Sequence, residues 1–402
     1  MAFANGAMTY KRFFVRGDLL DRVDEELLEK LAVQAIDAKH EATADQTVCG
    51  WTTGDHILDT RFDFAKNAVG DGLHFAMRTD TNKAPADLVR SYQRQAEAAM
   101  LEASGREFLS KPERREAREQ ARSRAADEAR AGAFRRMKQV PVFWDLPRNN
   151  VYLGTGASST VDQFMLLFHR TFGRGLVPAS AGEVAARWAV RSGEASAFDN
   201  CRPAHFVNPP AAAEPDDEIL NPGEGQSRDF LGTEWLTWLW YTAQIESPEI
   251  PVPHGPAVTV LFERTLQLEC AFRLSGSTTV TADGPTRLPE ATAALASGKR
   301  PVRAGIQVAV QGDVYGFSVR GDGMNFSGLR VPQPEEATHP RAVFESRLEH
   351  LRHFMEAVDG LYAAFLKRRL STKWPQLLGA IRHWIAGLES EEASPTELGV
   401  AS

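Results

Sequence analysis

The segment 110–132, SKPERREAREQARSRAADEARAG, constrains the fold most, because it predicts a helix that has no side chains for a core. It contains no Leu, Ile, Val or Phe. Ser110 and Glu113 match the S-x-x-E capping box, Pro112 is tolerated in the first turn, and Gly132 is a stop signal. We therefore predict a helix of about 21 residues, roughly 30 Å long, that protrudes from the protein as a charged arm.

The charges of this helix are segregated by face. At 100° per residue, most of its cations fall on one side of the helix and most of its acidic residues on the other. The basic side is formed by Lys111, Arg114, Arg115, Arg118 and Arg122. Two interpretations are open: a solvated helix held by ion pairs three and four residues apart, or an arginine stripe that binds a polyanion through its phosphates.

The positive charge is local. Residues 106–138 contain eleven Lys/Arg and six Asp/Glu, a net charge of +5, whereas the whole chain carries −7 and the remainder therefore −12. This balance excludes a uniformly basic nucleic-acid-binding protein but not a basic patch on an acidic body. Three distant cysteines without a C-x-x-C motif argue against disulfide or zinc frameworks. The absence of a signal peptide and of a membrane span predicts a cytoplasmic protein.

The order of segments predicts an α+β fold of mixed antiparallel sheets and long helices, which include the protruding arm and a C-terminal helical segment. The predicted organisation is an N-terminal α+β domain at 1–84 and 139–192, a helical basic arm inserted in it at 85–138, an acidic Pro/Gly-rich linker at 193–228, a Trp-rich helix with a β-rich domain at 229–338, C-terminal helices at 339–388 and a disordered tail at 389–402.

Three patterns in the second half predict how it packs. The segment FLGTEWLTWLWYTAQ is apolar on every side, so its Trp235, Trp238 and Trp240 are expected in a core rather than stacked on bases. A 4,3 spacing of apolar residues from Phe344 to Phe365 predicts a seam that packs on another helix or on a partner chain. Asp283-Gly284 and Asp322-Gly323 are hairpin signals between strands.

No constellation predicts catalysis. The segment GTGASST lacks the third glycine of a dinucleotide-binding turn. His350 and His353 lie three apart beside Glu349, but no H-E-x-x-H motif or cysteine supports a metal. We find no nucleophile elbow and no paired acids with a nearby lysine. The sequence therefore predicts a protein that is not an enzyme, with no catalytic residue, no metal and no cofactor.

The order of features over roughly residues 7–190 resembles the recombination-associated protein RdgC family. The matching segments are the opening strand AMTYKRFFV, CGWTTG, the strand LHFAMRTDTNKAP, the charged arm, VPVFWDLPRNNVYLGTGAS, TVDQFMLLFHRTFG and LVP. The segment DFLGTEWLTWLWY is similar to one in longer relatives of that family.

The resemblance implies a protein that binds double-stranded DNA with little sequence preference and forms a ring-shaped homodimer around a basic channel. It implies restraint of the RecA recombinase by occupation of DNA, association with the nucleoid, and neither a catalytic site nor a cofactor. Single-stranded DNA is an alternative to double-stranded DNA as the expected ligand, and no membrane is expected as a partner. In addition to the arm's basic residues, the resemblance implies DNA binding by Arg78, Lys83, Arg135, Arg136 and Lys138.

Two rival functions stay open. The arm or the apolar seam is suited to direct contact with a recombinase or nuclease, in which case DNA binding is incidental. A metal-dependent nuclease without a recognisable motif is the second rival, because catalytic groups can be distant in sequence.

Overall fold

The computed structural model describes residues 3–36, 47–209, 227–333 and 339–392. Helices and antiparallel strands form the fold, which confirms the predicted α+β class. The centre of the predicted linker, residues 210–226, lies outside the described residues. So does the predicted tail at 389–402, except for the backbone of the last helical turn.

The strands of the described residues range in length from two to thirteen residues. They are β1 (Met8–Val15), β2 (Thr47–Thr52), β3 (Ala68–Val69), β4 (Gly72–Thr81), β5 (Arg136–Asp145), β6 (Asn150–Leu153), β7 (Leu176–Pro178), β8 (Glu249–Ile250), β9 (Val258–Cys270), β10 (Thr278–Ala282), β11 (Lys299–Val310), β12 (Asp313–Arg320) and β13 (Asn325–Arg330).

The helices lie between and after these strands. They are α1 (Glu25–Val33), α2 (Phe64–Asn67), α3 (Ala86–Ser104), α4 (Lys111–Arg130), α5 (Ser158–Phe172), α6 (Ala181–Ser192), α7 (Ala195–Asp199), α8 (Phe230–Tyr241), α9 (Pro289–Ala296), α10 (Pro340–Arg369) and α11 (Trp374–Glu392). A π-helical turn, Thr242–Glu246, follows α8, and a 3-10 turn, Pro285–Arg287, precedes α9. In the ranges that the structure describes, no helix is both long enough and apolar enough to cross a membrane.

The chain divides into two compact units whose borders differ from the predicted domains. The first unit contains the described residues of 15–153 together with 157–176, and the second contains residues 3–14, 154–156 and the described chain from Val177 onward. Strand β1 belongs to the second unit up to Phe14, because it pairs with β13 through Met8 opposite Leu329. This pairing joins distant parts of the chain, which a local sequence pattern cannot indicate.

The first unit is built on an antiparallel sheet with the strand order β6-β5-β4-β2, in which β3 also pairs with β4. Strands β4 and β5 pair over their whole length, from Gly72 opposite Asp145 to Thr81 opposite Arg136. Helix α5 covers one face, where the Trp51 indole donates a hydrogen bond of 2.7 Å to the Thr171 hydroxyl. The contact between Trp51 and α5 holds the helix against the sheet that carries the arm.

The second unit is built on a sheet with the strand order β10-β9-β11-β12-β13-β1, and β8 pairs with β9. Helix α10 packs on this sheet through Phe354, whose ring centroid lies 4.7 Å from that of Phe317. The apolar seam of α10 is buried from Leu348 to Phe365, and Phe344 is half-buried. The seam therefore serves packing inside the second unit, which is one of the two predicted uses.

Helix α8 is a core helix, as its all-round apolar pattern predicts. Trp235, Trp238 and Trp240 are each 1% exposed. Glu234 on the same helix is also buried, and its carboxylate accepts a hydrogen bond of 2.6 Å from Arg369. The three tryptophans are therefore not placed to stack on bases.

The two hairpin signals have different outcomes. Asp322-Gly323 lies in a hairpin, because Arg320 pairs with Asn325 across it. The prediction for Asp283-Gly284 was wrong, because the chain enters the 3-10 turn and α9 there instead of a neighbouring strand. A tight hairpin that was not predicted joins β11 to β12 at Gln311-Gly312.

Candidate nucleic-acid interface

The predicted arm is a hairpin of two antiparallel helices, α3 and α4, inserted between the paired strands β4 and β5 of the first unit. The two helices contact each other along their length. The Tyr92 hydroxyl of α3 donates a hydrogen bond of 2.6 Å to Glu128, and the Arg124 guanidinium lies 4.0 Å from the centre of the Tyr92 ring. At the base, the Asn82 amide donates a hydrogen bond to the Ala129 carbonyl.

Alanines hold α4 against α3. Ala117, Ala121, Ala125 and Ala129 recur every fourth residue, so they form one stripe, and each is buried. Small side chains at the contact allow two helices to approach closely. The sequence pattern predicted a helix without a core contact, but its buried face is the alanine stripe. The stripe fixes which other faces of α4 point to solvent.

The start of α4 is a capping box, as predicted. The Ser110 hydroxyl accepts a hydrogen bond from the Glu113 amide, and the Glu113 carboxylate accepts hydrogen bonds of 2.7 Å from the amide and the hydroxyl of Ser110. These bonds, with the neighbouring Arg106 guanidinium, lower the pKa of Glu113 to about 2. Glu113 is therefore ionised at neutral pH and stabilises the helix N-terminus, a contribution that is lost progressively as the pH falls from about 4.5, the ordinary pKa of the group, through about 2.

Four of the predicted basic residues of α4 are exposed and, among the described residues, form no ion pair. They are Lys111, Arg114, Arg118 and Arg122. The other basic residues of α4 have carboxylate partners: Arg115 with Glu119 at 3.1 Å, Arg124 with Glu128 at 3.3 Å and Arg130 with Asp127 at 2.9 Å. Ion pairing explains only part of the charged surface, and an unpaired basic row remains.

The basic surface continues at the base of the arm. Lys83, Arg136 and Lys138 are exposed and have no ion-pair partner in the described parts of the chain. Arg136 and Lys138 lie two apart on β5, so their side chains project from the same face of the sheet. Arg135 forms an ion pair with the Asp80 carboxylate at 3.2 Å, but its side chain is still 32% exposed.

Arg78 does not fit the predicted role. Its side chain is 5% exposed, and it donates bonds of 2.7 and 2.6 Å to the two carboxylate oxygens of Asp80. A further guanidinium nitrogen donates to the Ile57 carbonyl at 3.2 Å. Arg78 is therefore part of a buried ion pair that shapes the end of β4, and the interface does not include it as a direct phosphate contact.

One basic residue on the other helix of the arm was not predicted. Arg94 of α3 is exposed and forms no ion pair with a described residue. Its neighbour one turn earlier, Arg90, pairs with Asp87. The sequence could have indicated Arg94 as a surface cation, because Arg90 and Arg94 are four residues apart in a segment that was itself predicted to be helical.

Comparison with known proteins assigns no family to the chain. No protein-family model matches it, and no curated protein matches it. The resemblance to the RdgC family stays a prediction, and the interface is argued from geometry and charge.

Proposed function

We propose that the protein binds double-stranded DNA through the phosphate backbone, without sequence preference, and that the helical arm is the principal contact. One observation carries the proposal: the row Lys111, Arg114, Arg118 and Arg122 is exposed and unpaired among the described residues of a chain with a net charge of −7. Lys83, Arg94, Arg136 and Lys138 extend this basic surface.

The unpaired row is unfavourable for the helix itself. Arg114, Arg118 and Arg122 are spaced four apart, and each like-charge pair at this spacing destabilises a helix by about 0.2–0.5 kcal/mol. In a helix whose charges serve only solubility, acidic residues are expected between the basic residues of this row. Helix α4 has such an arrangement at Arg115, which pairs with Glu119. A bound phosphate backbone relieves the repulsion and releases counterions, which makes the row favourable in a complex.

The remainder of the chain supports the same mechanism. Its net charge of −12 outside residues 106–138 repels DNA from the other surfaces and so directs it to the basic one. Contacts to phosphates position a duplex without reading its bases, which accounts for the lack of sequence preference.

The resemblance to the RdgC family extends the proposal to a biological role. In this role the protein occupies DNA as a homodimer in the nucleoid, limits access of the RecA recombinase and thereby modulates recombination or replication. No catalytic step is required, because occupation of the duplex is sufficient.

Charge reversal of two arm residues tests the proposal. Arg118→Glu with Arg122→Glu is preferred to a variant of Arg115, because Arg115 is already paired with Glu119. If each arginine neutralises one phosphate, we expect duplex affinity to fall by about 60-fold or more at 0.1 M salt, equally for unrelated sequences. Fluorescence anisotropy with labelled duplexes measures this change.

The matched control is Lys367→Glu with Lys373→Glu, which changes the net charge by the same amount at two exposed lysines of the second unit. We expect the control to lose much less affinity than the arm variant. Equal decreases in duplex affinity in the two variants would mean that affinity depends only on the net charge of the protein and not on the arm. Unchanged affinity in the arm variant would contradict the proposal and favour the arm as a protein contact.

A further inference from the structure

The second unit brings two histidines and an aspartate together. One ligand atom from each of Asp313, His350 and His353 lies within 4.8 Å of the others. The Nδ1 atom of His350 is 3.5 Å from the Oδ2 atom of Asp313. Ligand atoms of a tetrahedral metal with bonds of about 2.0–2.1 Å are separated by roughly 3.4 Å. Two of the three groups are therefore already at ligand spacing.

The fold fixes the backbone positions of these residues. His350 and His353 lie three apart on α10 and so share one face of the helix. Asp313 is the first residue of β12 and pairs with Val310 across the turn Gln311-Gly312. Both turn residues have positive φ, 51° and 92°, as a two-residue type I′ hairpin requires. The histidine pair had no visible third ligand in the sequence, and this tight turn supplies one.

Neighbouring groups orient the candidate ligands. The hydroxyl of Tyr315, whose ring is buried, lies 3.2 Å from Asp313 Oδ2 and 3.1 Å from His350 Nδ1. The Tyr315 hydroxyl donates a hydrogen bond to the Asp313 carboxylate. Glu349 Oε1 lies 3.4 Å from His353 Nε2. A hydrogen bond to a ligating carboxylate, such as the one from Tyr315 to Asp313, commonly holds a metal ligand in place.

We propose that Asp313, His350 and His353 form a binding site for a divalent transition-metal ion of the zinc type. Two imidazole nitrogens and one carboxylate oxygen favour Zn²⁺, Co²⁺ or Ni²⁺ over Mg²⁺ or Ca²⁺, which prefer oxygen ligands alone. The three side chains are partly exposed, at 39%, 19% and 51%, so an ion reaches them from solvent. A bound ion links the β11–β12 hairpin to α10.

Cobalt binding to the tag-free, chelator-treated full chain tests the site, by calorimetry together with the visible absorption of Co²⁺. We expect one ion per chain, displaced by Zn²⁺. Asp313→Asn and His350→Ala should each weaken binding by at least about 100-fold, since loss of a mere supporting hydrogen bond already costs 10–100-fold. The control His383→Ala removes an exposed histidine of α11 and should bind like the wild type.

The outcomes separate clearly. Absence of Co²⁺ binding to the wild type would overturn the proposal, as would equal binding by Asp313→Asn and the wild type. Because Asp313→Asn preserves side-chain size, it tests the ligand even if His350→Ala fails to fold. Duplex affinity measured with and without metal is expected to be unchanged, so this site and the DNA-binding proposal fail independently.

Discussion

Excising the arm is expected to weaken DNA binding by several orders of magnitude while the sheet of the first unit stays folded. Thr81 and Arg136 are the last pair of β4 and β5, so residues 82–135 can be replaced by the dipeptide Asn-Gly. The change removes every exposed, unpaired cation of the arm together with Lys83. Because these cations would neutralise at least about five phosphates, we expect duplex affinity to fall by at least about 10³-fold at 0.1 M salt.

The sheet should tolerate the excision. Asn-Gly is the preferred sequence of a two-residue hairpin turn, and the ladder between β4 and β5 is unchanged by it. The buried ion pair of Arg78 with Asp80 also stays. Circular dichroism checks the fold, and fluorescence anisotropy measures the affinity.

A second variant separates the arm's charge from its shape. Changing Lys111, Arg114, Arg118 and Arg122 to Gln keeps the alanine stripe and the capping box, so the helical hairpin should remain. We expect most of the affinity decrease seen on excision to recur. An armless protein that binds duplex as tightly as the wild type would refute the assignment of the interface.

Arg78→Ala is expected to destabilise the first unit rather than to weaken DNA contacts. The Asp80 side chain is 1% exposed and would keep only Arg135 as a charged partner. Removal of one member of a buried ion pair typically costs about 3–5 kcal/mol in the free energy of unfolding. Urea denaturation measures this cost, and anisotropy on the folded protein should show unchanged duplex affinity.

The control replaces both members of the pair. Arg78→Met with Asp80→Leu removes the two charges together and should recover much of the stability, because apolar replacements of a buried pair are often nearly neutral. If Arg78→Ala keeps native stability but binds DNA more weakly, Arg78 contacts phosphate directly and the structural interpretation is wrong.

Sequence patterns predicted the elements that are determined by side chains close together in the sequence. The capping box at Ser110, the apolar face around Trp238 and the seam of α10 each follow from side chains a few residues apart. The exposed cations of the arm follow from the same reasoning. The ion pair of Arg78 could also have been predicted locally. Side chains two residues apart on a strand share a face, and Asp80 lies two residues after Arg78.

Features that depend on distant pairing were not predictable in this way. The pairing of Met8 with Leu329, which moves β1 into the second unit, depends on strands far apart in sequence. The contact of the alanine stripe with α3 requires knowing that the two helices fold back on each other. The approach of Asp313 to His350 depends on the packing of a hairpin against α10.

The salt dependence of duplex affinity tests the central claim most directly. The arm and its base offer eight exposed cations without ion pairs in the described chain: Lys83, Arg94, Lys111, Arg114, Arg118, Arg122, Arg136 and Lys138. With six to ten phosphate contacts, affinity should fall by roughly 10³–10⁵-fold between 50 and 200 mM salt, equally for two unrelated sequences. Absence of binding at 50 mM salt, or an affinity that depends on sequence and not on salt, would contradict a phosphate-binding arm.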